Sequence, residues 1–103
     1  MCWEELDCSY HSGISQNGIS ELKCLKVLRC CDNEKICDVN YLSGTLEELE
    51  CERNCGINQA GISHLKKIKK FICSYNKKIN NLDHLIYTLE KLECYQSNIN
   101  QNE

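Results

Sequence analysis

One short phrase is written five times along this chain, and it limits what the chain can fold into: Trp3-Glu-Glu-Leu6-Asp-Cys8, Leu25-Lys-Val-Leu28-Arg-Cys30, Leu46-Glu-Glu-Leu49-Glu-Cys51, Ile68-Lys-Lys-Phe71-Ile-Cys73 and Leu89-Glu-Lys-Leu92-Glu-Cys94. Counted from cysteine to cysteine the spacing is 22, 21, 22 and 21 residues. A fixed period in that range marks stacked supersecondary units. Sliding the chain by 43 residues aligns 3–45 with 46–88 and gives 19 identities in 43 pairs, so the true unit is a double repeat. Residues 89–103 begin a third copy.

Apolar and other residues alternate within the phrase, which is the period of a strand with one buried face. Leu6 and Cys8 are therefore expected to point inward, with Leu28 and Cys30, Leu49 and Cys51, Phe71 and Cys73, and Leu92 and Cys94. A polar corner follows each strand: Ser9-Tyr-His11, Cys31-Asp-Asn33, Glu52-Arg-Asn54, Ser74-Tyr-Asn76 and Tyr95-Gln-Ser97. Asn33, Asn54 and Asn76 share one place there, where a side-chain amide can satisfy backbone groups that no ladder reaches. Ile14, Ile36, Ile57, Ile79 and Ile99 then return the chain to the core. Ile19, Leu22 and Leu25 predict one or two helical turns, as do their counterparts Ile62, Leu65 and Ile68. Val39 with Leu42, and Leu82 with Leu85, predict a short helix or 3₁₀ piece. Helices this short exist only when docked on neighbours.

Ten cysteines in 103 residues raise the question of a disulfide scaffold or zinc. Five of them hold one place in the repeat, where free cysteine serves as a small apolar residue. Equivalent side chains on adjacent strands lie about 4.8 Å apart, whereas a disulfide wants its Cβ atoms at roughly 3.8 Å. The ladder is expected to be reduced. No Cys-x-x-Cys pair is present, and Cys51 with Cys55 has no second pair at matching distance, so no metal is expected. Cys2 and Cys24 occupy equivalent places and are expected to stack; Cys31 is expected to face outward and Cys55 to sit at its corner.

A net charge of −3 offers no basic excess for nucleic acid, and no apolar run approaches a membrane span. The opening residues have neither the positive leader nor the apolar core of a signal peptide. A cytoplasmic protein is expected.

The pattern Leu-x-x-Leu-x-Cys-x-x-Asn-x-x-Ile resembles the leucine-rich repeat over residues 3–99, with cysteine in place of the third leucine. The cysteine ladder is similar to that of some internalin-type proteins, and 54–65 is similar to the cysteine-containing repeats that follow F-boxes in ubiquitin-ligase adaptors. His11 and Ser97 depart from the asparagine position. The resemblance implies an α/β leucine-rich-repeat solenoid in one domain, 1–103, with turns at roughly 3–24, 25–45, 46–67, 68–88 and 89–103. About five short parallel strands would line its concave face, and short helical or 3₁₀ segments its convex face. It also implies a non-enzymatic module that binds another protein on the concave sheet, without cofactor. Two alternatives stay open: the substrate-recognition part of an F-box-type adaptor, and a repeat-array fragment without its own partner.

On such a sheet the outward residues form rows: Glu5, Val27, Glu48, Lys70, Lys91; then Asp7, Arg29, Glu50, Ile72, Glu93; then Ser9, Cys31, Glu52, Ser74, Tyr95. Tyr10, Asp32, Arg53, Tyr75 and Gln96 lie just beyond. Arg29 between Asp7 and Glu50 predicts cross-strand pairing worth a fraction of a kcal/mol. Tyrosine and arginine are favoured interface anchors, so the partner-binding candidates are Tyr10, Arg29, Glu48, Glu50, Glu52, Arg53, Ile72, Tyr75 and Tyr95. No catalytic residue is expected: the glycines of 13–18 lack the lysine of a phosphate loop, and His11, His64 and His84 fall in different turns as solvated surface. The lysines of 66–70, interrupted by Ile68, read as a solvated edge. Trp3 is expected in the inward row as a crude lid. Open ends predict end-to-end self-association, a longer array, or marginal stability.

Overall fold

The computed structural model describes residues 3–10 and 13–99. Five strands of three residues, β1 (Glu5–Asp7), β2 (Val27–Arg29), β3 (Glu48–Glu50), β4 (Lys70–Ile72) and β5 (Lys91–Glu93), form one parallel sheet in chain order. Leu6, Leu28, Leu49, Phe71 and Leu92 stand opposite one another across it. That register is the one the cysteine spacing predicts. A slip of one residue would turn every apolar side chain to the solvent face.

The hydrogen bonds run beyond the strands on both sides. Before them, the Lys26, Glu47, Lys69 and Glu90 amides donate to the carbonyls of Glu4, Lys26, Glu47 and Lys69. After them, the Cys8, Cys30, Cys51 and Cys73 amides donate to Arg29, Glu50, Ile72 and Glu93. Each chain segment is thus tied to the next over about twice the length of its strand.

A parallel pair needs a crossover, and here the crossovers alternate as the double repeat predicts. The first and third carry the helices α1 (Gln16–Ile19) and α2 (Gln59–Ile62), and the second and fourth carry 3₁₀ turns at Asn40–Leu42 and Asp83–Leu85. Side chains stitch them together. Gln16 accepts from the Cys37 and Asp38 amides at 2.9 and 3.1 Å and donates to the Asp38 carbonyl at 2.7 Å. Gln59 repeats this on Asn80 and Asn81. Tyr41 donates to the Ile19 carbonyl at the end of α1, 2.6 Å away. His84 meets the Ile62 carbonyl of α2 at 3.0 Å, which makes it a cap for that helix and not merely solvated surface. His11 lies outside the described residues.

One continuous core runs behind the sheet, with Leu25, Leu28, Ile36, Leu46, Leu49, Ile57, Ile68, Phe71 and Ile79 fully buried. The cysteines Cys8, Cys30, Cys51, Cys73 and Cys94 are buried and take part in no disulfide, as the ladder requires. Cys24 takes part in a disulfide. Cys2 lies outside the described residues.

Three expectations need correction. Trp3 keeps 51% of its surface exposed, whereas its counterparts Leu25, Leu46 and Ile68 keep none. Asn54 is exposed, although it shares its sequence position with the buried Asn33 and Asn76. In that corner the chain buries the next residue, Cys55, so the apolar thiol replaces the amide. Cys31 keeps only 3% exposure although it was expected to face outward. Its thiol lies under the Glu52 carboxylate, 3.7 Å from Oε1.

Asn33 and Asn76 do the same work 43 residues apart. Asn33 Nδ2 donates to the carbonyls of Cys8 and Ile14, at 2.8 and 3.0 Å, and its Oδ1 accepts from the Lys35 amide. Asn76 does so with Cys51, Ile57 and Lys78.

Among the described residues no helix is long and apolar enough to cross a membrane.

Candidate functional site

The open face of the sheet carries the rows that the period predicts. Glu5, Val27, Glu48, Lys70 and Lys91 are in register, as are Asp7, Arg29, Glu50, Ile72 and Glu93. Arg29 ties the first three strands together: Nε lies 3.4 Å from Glu50 Oε2 and Nη2 lies 3.7 Å from Glu5 Oε2. The expected partner on β1 was Asp7. Its carboxylate instead accepts from the Ser9 amide at 3.1 Å, because a side chain that short folds back on its own strand end. All these groups remain partly solvated, so the ion pairs contribute little to stability.

Along β3 and its exit, Glu48, Glu50 and Glu52 are half-buried. Glu50 is committed to Arg29, and Glu52 lies beneath Arg53 at 4.0 Å and beside the Cys31 thiol. Ile72, in the same row as Glu50, keeps only 8% of its surface. It offers a flat apolar floor and no protruding anchor.

Beyond the strands lies the next row that the period predicts, in a backbone conformation that no periodicity revealed. Tyr10, Asp32, Arg53, Tyr75 and Gln96 all hold left-handed backbone, with φ of 61°, 60°, 60°, 64° and 56°. For residues with a Cβ this costs on the order of 1 kcal/mol each. What holds them is the ladder: the Tyr10, Asp32, Arg53 and Tyr75 amides donate to Cys31, Glu52, Ser74 and Tyr95 of the next segment at 2.8, 3.2, 3.0 and 2.7 Å. Each such residue turns the chain inward while its side chain stays out. Tyr10, Arg53, Tyr75 and Gln96 are exposed and Asp32 is half-buried.

Tyr75 meets Tyr95 edge to face, with ring centroids 5.6 Å apart. Asp32, Arg53, Asn54 and Tyr75 line an open depression of about 380 Å³. Asp32 and Asn54 were absent from the sequence-based candidates. The chain offers no glycine at these corners, so nothing in the sequence signalled the left-handed line that brings them together. Of the nine candidates, Arg53, Tyr75 and Tyr95 gather at this edge, Glu48, Glu50 and Arg29 lie on the strands, and Glu52 joins the two groups. Tyr10 stands at the far end of the line, and Ile72 lies in the floor.

Cys31 and Cys8 give the open face no nucleophile. Burial and the nearby Glu52 and Glu50 carboxylates push the Cys31 thiol from 9.0 up to about 11, and burial pushes Cys8 from 9.0 up to about 11. A thiol whose folded pKa is raised contributes stability that is complete below the unfolded value and is lost as pH rises toward the folded one. Stability measured by urea unfolding in reductant is therefore expected to be flat up to about pH 9 and to fall between about 9 and about 11. Cys31→Ser should flatten part of that fall. An equal slope in the variant would show that Cys31 plays no part in it.

Among the described residues no group of three or more His, Cys, Asp or Glu side chains could hold a metal ion. Comparison with protein-family models, with curated proteins and with solved structures found no match to this chain.

Proposed function

We propose that this chain is a leucine-rich-repeat solenoid and a non-enzymatic protein-binding module. Its partner lies on the concave sheet and is anchored along the left-handed line at the sheet's edge. The observation that carries this reading is the line itself. Five successive units hold a residue with a Cβ in a backbone conformation that glycine would adopt freely, and Tyr10, Arg53 and Tyr75 hold their side chains exposed there. Side chains kept at such a cost, of the types that anchor interfaces, are best explained by what they touch. The acidic strip of Glu48, Glu50 and Glu52 beside them suits a partner with basic or mixed charge. Among the described residues eight cysteines stand outside any disulfide and Cys24 alone is in one, a balance that fits the reducing cytoplasm.

The test begins with selection of binders to the folded chain from a displayed library of small protein domains. Arg53→Ala with Tyr75→Ala, and separately Glu48→Lys with Glu50→Lys and Glu52→Lys, should each weaken the selected binders at least tenfold with circular dichroism unchanged. Ile86→Ser with Tyr87→Gly serves as the control, because residues 43 and 44 carry Ser and Gly at the same repeat position. Binders that are lost in the control and kept in both face variants would overturn the reading.

A further inference from the structure

Cys30 and Cys55 are set apart from the other described thiols. Cys30 points inward after β2, and Cys55 enters the core from the next corner, in the place that Asn33 and Asn76 fill elsewhere. Their sulfurs are 3.5 Å apart and both residues are fully buried. Equivalent side chains of neighbouring strands lie about 4.8 Å apart, so the repeat alone does not produce this contact. The pairing is also written only once: Ser12 stands where Cys55 would be in the first copy, and the counterpart of Cys55 that would face Cys73 is Asn98, in the corner after Cys94.

The surroundings of the two sulfurs differ. Lys78 Nζ donates to the Cys55 carbonyl at 2.9 Å, which brings an ammonium near that thiol. The Cys30 thiol, the Gly56 and Ile57 amides and Lys78 lower the Cys55 pKa against the effect of burial. Cys30 is raised, by its place beside Cys55 and by burial. The nearby Lys78 ammonium favours negative charge on Cys55 over Cys30.

We propose that Cys30 and Cys55 form a dithiol oxidation site that takes a peroxide as its oxidant and closes to a disulfide. The Cys55 thiolate attacks one peroxide oxygen, the O–O bond breaks, and the sulfur becomes a sulfenic acid while the departing oxygen leaves as water after taking a proton. Cys30 then attacks that sulfur, the S–O bond breaks, the S–S bond forms, and a second water leaves with the Cys30 proton. Two thiols lose two electrons and the peroxide gains them. The sulfurs must close from 3.5 Å to about 2.05 Å, a movement within reach of side-chain rotation and a small shift of the irregular corner. Peroxide reaches the pair through local opening of that corner, which lies outside the strands and is held beyond Arg53 by single hydrogen bonds such as Gly56 N to the Asn33 carbonyl at 3.1 Å. The product ties the second unit to the third across a sequence separation of 25 residues.

The full chain would be reduced, freed of reductant and treated with hydrogen peroxide at a dose that modifies the exposed Cys37. It would then be unfolded, alkylated, digested and mapped by mass. The expected product is a Cys30–Cys55 linked peptide pair lighter by two hydrogen atoms, with a rise in Tm of about 5 °C or more that reductant reverses. Cys55→Ser should lose the link and leave Cys30 open to alkylation; wild-type mapping decides the matter by itself if that variant fails to fold. Cys30 and Cys55 both recovered as free thiols after Cys37 has reacted, or either one linked to a different cysteine, would overturn the proposal.

Discussion

Gly61→Ala is expected to lower stability by about 3 kcal/mol, while Gly18→Ala, at the same repeat position, should change it by less than about 0.5 kcal/mol. Both glycines lie in four-residue helices with matching neighbours, Gln16-Asn-Gly-Ile19 and Gln59-Ala-Gly-Ile62. A methyl group on Gly18 would meet only side chains at ordinary contact distance, Ile14 at 3.4 Å and Ser15 Oγ at 4.0 Å. On Gly61 it would land on the Cys37 carbonyl and the Asp38 Cα, which are backbone of the preceding unit and do not rotate away. Relief means pushing the two units apart. That strains the bonds from Val39 N to the Gly61 carbonyl at 3.0 Å, from Asn40 Nδ2 to the Ala60 carbonyl at 2.8 Å and from the His64 amide to Asn40 Oδ1 at 2.8 Å. Helix propensity alone would favour alanine at both sites. The measurement is a pair of urea or thermal melts, and a drop of roughly 10–20 °C in Tm is expected for Gly61→Ala. Equal behaviour of the two variants would mean that the units are not in backbone contact there.

Asn76→Ala should cost about 3 kcal/mol or more. The side chain is 1% exposed and makes three hydrogen bonds, donating to the Cys51 and Ile57 carbonyls at 2.8 and 3.1 Å and accepting from the Lys78 amide at 3.0 Å. Alanine leaves those groups buried without partners, which is worse than never having buried them. Asn76→Asp should be no better, because it keeps the acceptor and turns a carboxylate oxygen toward two carbonyls. Asn33→Ala should cost less, since its second acceptor, the Ile14 carbonyl, belongs to a half-buried residue where water can enter. Asn54→Ala should cost under about 0.5 kcal/mol, because that side chain is exposed. Chemical denaturation of the three variants tests the order Asn76, Asn33, Asn54. A large loss at Asn54 would contradict the different course of the chain in that corner.

Asn33, Asn54 and Asn76 also mark the limit of what could be read without coordinates. They share one position and one residue type, so the sequence treats them alike. In the third unit, however, the residue after Asn54 is a cysteine that can enter an apolar core without a partner, and the chain buries it instead. Cys31 illustrates the same limit. Strand alternation put it on the open face, and a long neighbouring side chain, Glu52, covers it. The left-handed conformation of that line was hidden for another reason: glycine, asparagine and aspartate announce positive φ in a sequence, and of Tyr10, Asp32, Arg53, Tyr75 and Gln96 only Asp32 is of such a type.

The sequence by itself determined the five parallel strands, their order and their register. A period of 21 or 22 residues fixes how far apart equivalent strands begin, and alternation within each phrase fixes which face is buried. It also determined that two kinds of crossover alternate, because that follows from the 43-residue unit, and left open whether the second kind is α-helical or 3₁₀. Only the tertiary structure decided which corner residue enters the core, that Gly61 touches backbone while Gly18 does not, and that Cys30 meets Cys55 at 3.5 Å. Those outcomes depend on the neighbouring unit, which lies about twenty residues away in the chain and in van der Waals contact in space.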